Sequence, residues 1–196
     1  MEIRIMAVRL VEKVKTVLGE NSLALGLIGI GVMLRLLPLL TSGHLGNNFA
    51  PVGAIALFGG VYLGKKYALW LPLVIMMISD VFLGYHSLIV LTWGSFALIG
   101  LIGLWLRKHK NIPNIVFGTV TGSLLFFFIT NFGVWAATTM YPKTLDGLVQ
   151  CFVMAVPFFR NTLASDMFYV AAFFGAYELA TYMVPQMQKR FVKEKI

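Results

Sequence analysis

Apolar residues in this chain gather into long unbroken runs separated by short polar stretches, with no sustained alternation of period two. Such runs cover residues 23–40, 67–84, 88–106, 115–139 and 163–184. Each reaches the roughly 18 residues a membrane-spanning helix needs and far exceeds the ~10 of a barrel strand. A sixth run, residues 50–63, stops at Lys65 and Lys66. As a helix it reaches only about 21 Å, against a hydrocarbon core of roughly 30 Å.

Composition fits these runs. Of 196 residues, 59% are hydrophobic and 12% charged, with a mean hydropathy of +0.83; a soluble domain carries about 25% charged residues. The pattern predicts an all-α integral membrane protein with one polytopic domain over residues 21–185. Residues 1–20 interleave Arg4, Arg9, Lys13 and Lys15 with Ile3, Ala7, Leu10, Val14 and Val17 at steps of three and four. That spacing predicts an amphipathic helix lying on the membrane surface, and it lacks the unbroken apolar core of a signal peptide. Residues 186–196 are expected to form a basic cytoplasmic tail.

The net charge of +8 would suggest nucleic acid in a soluble protein. Here the basic residues lie in short segments between apolar runs, where they set topology. If residues 50–63 cross the membrane and the N-terminus is inside, the cytoplasmic side holds Arg4, Arg9, Lys13, Lys15, Lys65, Lys66, Arg107, Lys108, Lys110, Lys189, Arg190, Lys193 and Lys195, and the outer side only Lys143 and Arg160. If they re-enter instead, every later loop changes side and most of these charges fall outside. The positive-inside rule selects a six-helix transmembrane bundle with a short second span and both termini cytoplasmic. Protein, rather than lipid, is expected to surround the outer end of the short span, with residues 41–48 dipping below the headgroups. Ala56, Gly60 and Gly64 recur every four positions, the spacing that lets helix backbones approach closely; Gly118 with Gly122, and Ala172, Ala176 and Ala180, repeat it.

Depth can now be assigned to the polar residues. Arg35, Asp80 and Asn131 fall in the outer halves of their spans. Arg160, Asn161 and Asp166 open the last span from outside, and His44, Asn47, Asn48, Tyr85 and His86 occupy the outer loops. A charge at membrane depth costs several kcal/mol, so two cations (Arg35, Arg160) and two anions (Asp80, Asp166) at one level predict a charge-balanced internal cluster. Such groups either pair to pin helices together or line a polar cavity; their concentration on one side favours an outward-facing cavity. Trp93 and Trp135 lie at the same depth, Trp135 one turn beyond Asn131 on the same face. Apolar walls with a few placed polar groups suit a small organic ligand.

Other motifs carry less. Residues 59–66, GGVYLGKK, approach a phosphate-binding loop, but Lys66 replaces the required Ser or Thr and no strand precedes it. His44, His86 and His109 lie in different loops, and Cys151 is the one cysteine, so no metal or cofactor motif is present. Asp80, His86 and Asp166 could supply acid and base to a membrane enzyme acting on a lipid or prenyl-type substrate at the outer leaflet, but no nucleophile motif accompanies them. The nearly apolar inner half argues against a channel.

The stretches NFAPVGAIALFGGVYLGKK, SDVFLGYH, TNFGVWA and YPKTLDGLVQCFVMAVPFFRNTLASDMFY resemble the signature blocks of a bacterial membrane-protein family of unknown function, over residues 47–175. The chain's size, its six spans, the short second span and the Pro-Val-Gly-Ala motif at residues 51–54 in turn resemble the substrate-binding S components of energy-coupling-factor (ECF) transporters, which import vitamins. That resemblance implies a bacterial inner-membrane protein with an outward-open pocket under the loop between the first two spans, working with a membrane coupling subunit and two ATPases. In place of the Ala-x-x-x-Ala face often found on the first span of S components, this chain has Ser22 and Gly26. The expected function is uptake of a small vitamin-like molecule, without enzymatic activity. Asn47 and Asn48 would lie on the covering loop, Asp80 and Asn131 would bond the ligand, and Trp135 would stack on it. Arg160 and Asn161 would stand at the rim, and Arg35 would neutralise the acids or hold an anionic group. His86, Trp93 and Asp166 complete the expected lining.

Overall fold

A computed structural model describes residues 19–40 and 49–193, with side chains over 19–39 and 49–183. Nearly all of the expected interfacial helix at 1–20, and the covering loop at 41–48, lie outside the described residues. All regular structure among the described residues is helical: α1 (Glu20–Leu40), α2 (Val52–Phe58), continued by a π-helical turn (Gly59–Leu63), α3 (Lys65–Leu83), α4 (Ile89–Lys108), α5 (Ile112–Ala137) and α6 (Leu145–Lys193). All except α2 are long and apolar enough to cross a membrane, as in a multi-pass membrane protein.

The short helix lies at the centre of the bundle. Every residue from Val52 to Phe58 is buried. A Cβ added at Gly60 would come within 2.6 Å of the Gly100 carbonyl oxygen and the Gly103 carbonyl carbon, and one at Gly103 within 2.5 Å of the Leu57 carbonyl oxygen. Only glycine lets α2 and α4 meet backbone to backbone. Gly31 of α1 packs on Ile55 and Ile75. The Phe58 ring meets Phe174 and Tyr177 of α6 edge-on, with centroids 5.6 and 5.5 Å away. Protein was expected around the outer end of this segment; it covers the whole of α2. A helix shorter than the bilayer is tolerable here because protein faces it along its length.

The π-helical turn ends at Gly64, whose φ of 92° falls in the left-handed region that favours glycine. A Cβ at Gly64 would also lie 2.6 Å from Nη1 of Arg107. The α2–α3 turn with Lys65 and Lys66 therefore shares one end of the bundle with the α4 terminus. At that end Lys110 pairs with Glu178, and the Tyr62 hydroxyl donates to Glu178 Oε1 at 2.5 Å. The Tyr67 hydroxyl likewise donates to Asn21 Oδ1 at 2.5 Å. Residues 50–52 begin the short helix at the opposite end.

Two expectations need correction. The last helix starts at Leu145, not near residue 163, and runs unbroken for 49 residues through the expected tail as far as Lys193. At 1.5 Å per residue that is about 73 Å, more than twice a hydrocarbon core. Gln150, Arg160 and Asn161 lower the hydropathy of its first third, yet Phe152 and Phe159 pack on Phe127 of α5 at 5.5 and 5.0 Å and hold that third against the bundle. The alanine ladder is the second correction: Ala172, Ala176 and Ala180 are exposed rather than buried in a close helix contact, whereas Gly118 faces Leu106 and Gly122 faces Ile99.

Candidate functional site

The polar groups that sequence placed at membrane depth fall at the end of the bundle opposite Lys65, Lys66 and Lys110. Arg35 on α1 reaches α3, where its Nη1 donates to Asp80 Oδ1 at 2.7 Å and to Ser79 Oγ at 2.6 Å. From α4, Trp93 Nε1 donates to the other carboxylate oxygen of Asp80 at 2.8 Å. Asp80 is 1% exposed, and each of its oxygens has a donor, which a buried charge requires. Trp93→Phe keeps most of the ring volume and removes one donor. It is expected to cost about 1–3 kcal/mol, the cost of an unmet buried acceptor, read as a lower midpoint of thermal unfolding in detergent.

The second carboxyl is separate. Asp166 on α6 is 6% exposed; its Oδ2 accepts from Ser123 Oγ of α5 at 2.7 Å. Its Oδ1 lies against Gly53, where a Cβ would come within 2.6 Å, so glycine at this position of the short helix leaves room for the carboxyl. The neighbouring Ser165 Oγ donates to the Ala50 carbonyl at 3.2 Å and pins the entry to α2. Arg160 is exposed and bonds to no described residue. Six residues along one helix place side chains about 120° apart around its axis, so Arg160 cannot share the face of Asp166. The four-charge cluster expected from the sequence is instead one ion pair and one isolated carboxyl.

Between these groups lies a cavity of about 400 Å³. Arg35 borders it from α1, Ala50 and Val52 from the start of the short helix, His86 from the α3–α4 loop, and Thr92 and Phe96 from α4. Phe126, Phe127, Thr130 and Asn131 of α5 and Ala155, Phe158, Phe159, Thr162 and Asp166 of α6 complete it. Of the residues singled out in the sequence, Arg35, His86, Asn131 and Asp166 therefore meet here. Asp80 and Trp93 stand behind Arg35 and hold it. Trp135 is engaged elsewhere: its Nε1 donates to the Pro142 carbonyl at 2.9 Å, and the Lys143 ammonium sits 5.8 Å from its ring centroid, tying the α5–α6 turn. Asn161, like Arg160, is exposed and outside the lining. Asn47 and Asn48, with His44, lie outside the described residues. Cys151 is buried, its thiol donating to the Asn131 carbonyl at 3.4 Å. Among the described residues no group of His, Cys, Asp and Glu is arranged to hold a metal ion.

The sequence reading missed the threonines and phenylalanines of the wall. One signal was available: Ala155, Phe159, Thr162 and Asp166 recur at steps of four, three and four, the stripe of one helix face.

No curated protein and no solved structure matches the chain. One family model does, over residues 16–187, a stretch that includes every residue bordering the cavity. The chain belongs to that family, described as a family of unknown function (DUF6580).

Proposed function

We propose that this chain is a substrate-binding membrane protein for uptake of a small vitamin-like molecule, similar in its working to the S components of ECF transporters. The observation that carries this reading is the cavity of about 400 Å³ at one end of the bundle, walled by aromatic rings and edged by Arg35, His86, Asn131 and Asp166. Its size and mixture of apolar walls with few polar groups suit a small organic ligand. The topology we propose has six crossings, α2 with its π-helical turn being the second, and both termini in the cytoplasm. Support comes from Lys65, Lys66, Arg107 and Lys110, which share the end opposite the cavity, because short basic loops face the cytoplasm. The cavity would then open outward across the bacterial inner membrane. Residues 41–48, with Asn47 and Asn48, connect chain segments that both border it and would act as its cover. A membrane coupling subunit and cytoplasmic ATPases are the proposed partners for release.

Native mass spectrometry of the gently purified protein tests this. One small molecule of defined mass is expected to co-purify at a ratio of one to one. Asp80→Asn, which loosens Arg35, should lower its occupancy several-fold. Protein that carries no small molecule and acquires none from a growth-medium extract would sink the reading. Turnover of a lipid or prenyl-type substrate at the outer leaflet, lost in Asp80→Asn, would establish the membrane enzyme in its place.

A further inference from the structure

We infer, on the reading that the cavity is a ligand seat, that its occupant is an organic cation: a protonated amine or amidine carried on an aromatic or heteroaromatic ring. The first reason is Asp166. No described residue donates to its Oδ1. Every fully buried side-chain oxygen or nitrogen among the described residues has a partner, so Oδ1 has open space before it, and the cavity is the space that Asp166 borders. A carboxylate oxygen in a residue this buried needs a donor, and no described residue of the site reaches it.

The remaining polar groups point the same way. The Thr92, Thr130 and Thr162 hydroxyls donate to the carbonyls of Leu88, Phe126 and Phe158 at 3.0, 2.7 and 3.1 Å. Asn131 Nδ2 donates to the Phe127 carbonyl at 2.7 Å. The three hydroxyls have spent their donors on their own helices and offer the cavity lone pairs, and Asn131 adds its Oδ1 beside its second N–H; this mainly acceptor surface suits a ligand rich in N–H groups.

Charge and walls complete the case. The titratable groups on the lining are Arg35, His86 and Asp166. Asp80 already compensates Arg35 at 2.7 Å, which leaves Asp166 as the lining carboxyl without a counter-ion among the described residues. Phe96 packs on Phe126 at 4.9 Å, and Phe127 on Phe159 at 5.0 Å. All four rings line the cavity, and aromatic rings attract a cation and pack well against another ring. A bare inorganic ion would leave most of a 400 Å³ space empty.

The test uses the full chain in lipid nanodiscs, titrated calorimetrically with benzylammonium, benzamidinium, benzyl alcohol and benzoate. The two cations should bind at least tenfold more tightly than benzyl alcohol, with benzoate weakest. Asp166→Asn keeps the bond to Ser123 and should lower cation affinity at least tenfold while leaving benzyl alcohol within about twofold. Thr162→Lys puts an ammonium one turn from Asp166 on the same face, and should produce the same loss with the carboxyl still present; it decides the matter if the first variant does not fold. Tighter binding of benzoate than of the cations, or a cation preference unchanged in either folded variant, overturns the assignment. If all four probes fail, the co-purified molecule decides: a base supports the assignment, an acid or neutral molecule overturns it and leaves the seat, and no molecule at all removes both.

Discussion

Arg35→Ala is expected to destabilise the protein by about 3–5 kcal/mol, the cost of leaving one partner of a buried ion pair uncompensated. Asp80 is 1% exposed behind Arg35, so its carboxylate depends on the donors packed around it. Trp93 Nε1 would be its one remaining side-chain donor among the described residues, and the Ser79 hydroxyl, which already donates to the Ile75 carbonyl at 2.7 Å, would lose its own donor. The double variant Arg35→Met with Asp80→Leu removes both charges and keeps most of the volume, so it should recover most of the loss. Thermal unfolding in one detergent, followed by tryptophan fluorescence, compares the three proteins. A single variant as stable as the parent would show that Asp80 does not depend on Arg35.

Gly60→Val is expected to be at least as damaging. Overpacking a core usually costs about 1–3 kcal/mol, when flexible side chains can give way. At Gly60 the atoms in the way are backbone: the Gly100 carbonyl oxygen and the Gly103 carbonyl carbon, both 2.6 Å from an added Cβ. The short helix cannot retreat, because α1, α3 and α6 close its other sides. A loss of about 3 kcal/mol or more follows, read as a collapse of the monodisperse fraction on size-exclusion chromatography. Gly94→Ala, on α4, meets nothing within 4 Å and should leave that profile unchanged. Equal profiles for both variants would show that the contact between α2 and α4 is looser than described.

Both predictions concern residues that stood out in the sequence, for one reason: a charged or very small residue within an apolar run is an anomaly that packing must answer. The same logic found Asp166 and Asn131. It failed for the aromatic wall, because in a helix apolar on every side nothing separates a ring that lines a cavity from one that faces lipid. Phe127 borders the cavity, whereas its neighbour Phe128 is 55% exposed. Hydropathy also misplaced the start of α6, since it sees Arg160 and Asn161 as polar and is blind to Phe152 and Phe159 gripping α5. Trp135 shares a helix face with Asn131, as its spacing requires, but lies a turn beyond the cavity and spends its indole on Pro142. Spacing fixes a face and leaves depth to tertiary contacts.

The bond between Arg35 and Asp80 joins positions 45 residues apart, and this orders events during synthesis. When α1 leaves the ribosome its arginine has no counter-charge, and releasing it alone into lipid would cost about 2.5–3.5 kcal/mol. We expect the first helix to leave the translocon more readily once the third supplies that counter-charge. The two then partition with their charges paired, and the short segment between them gains the rest of its cover when α4 and α6 follow.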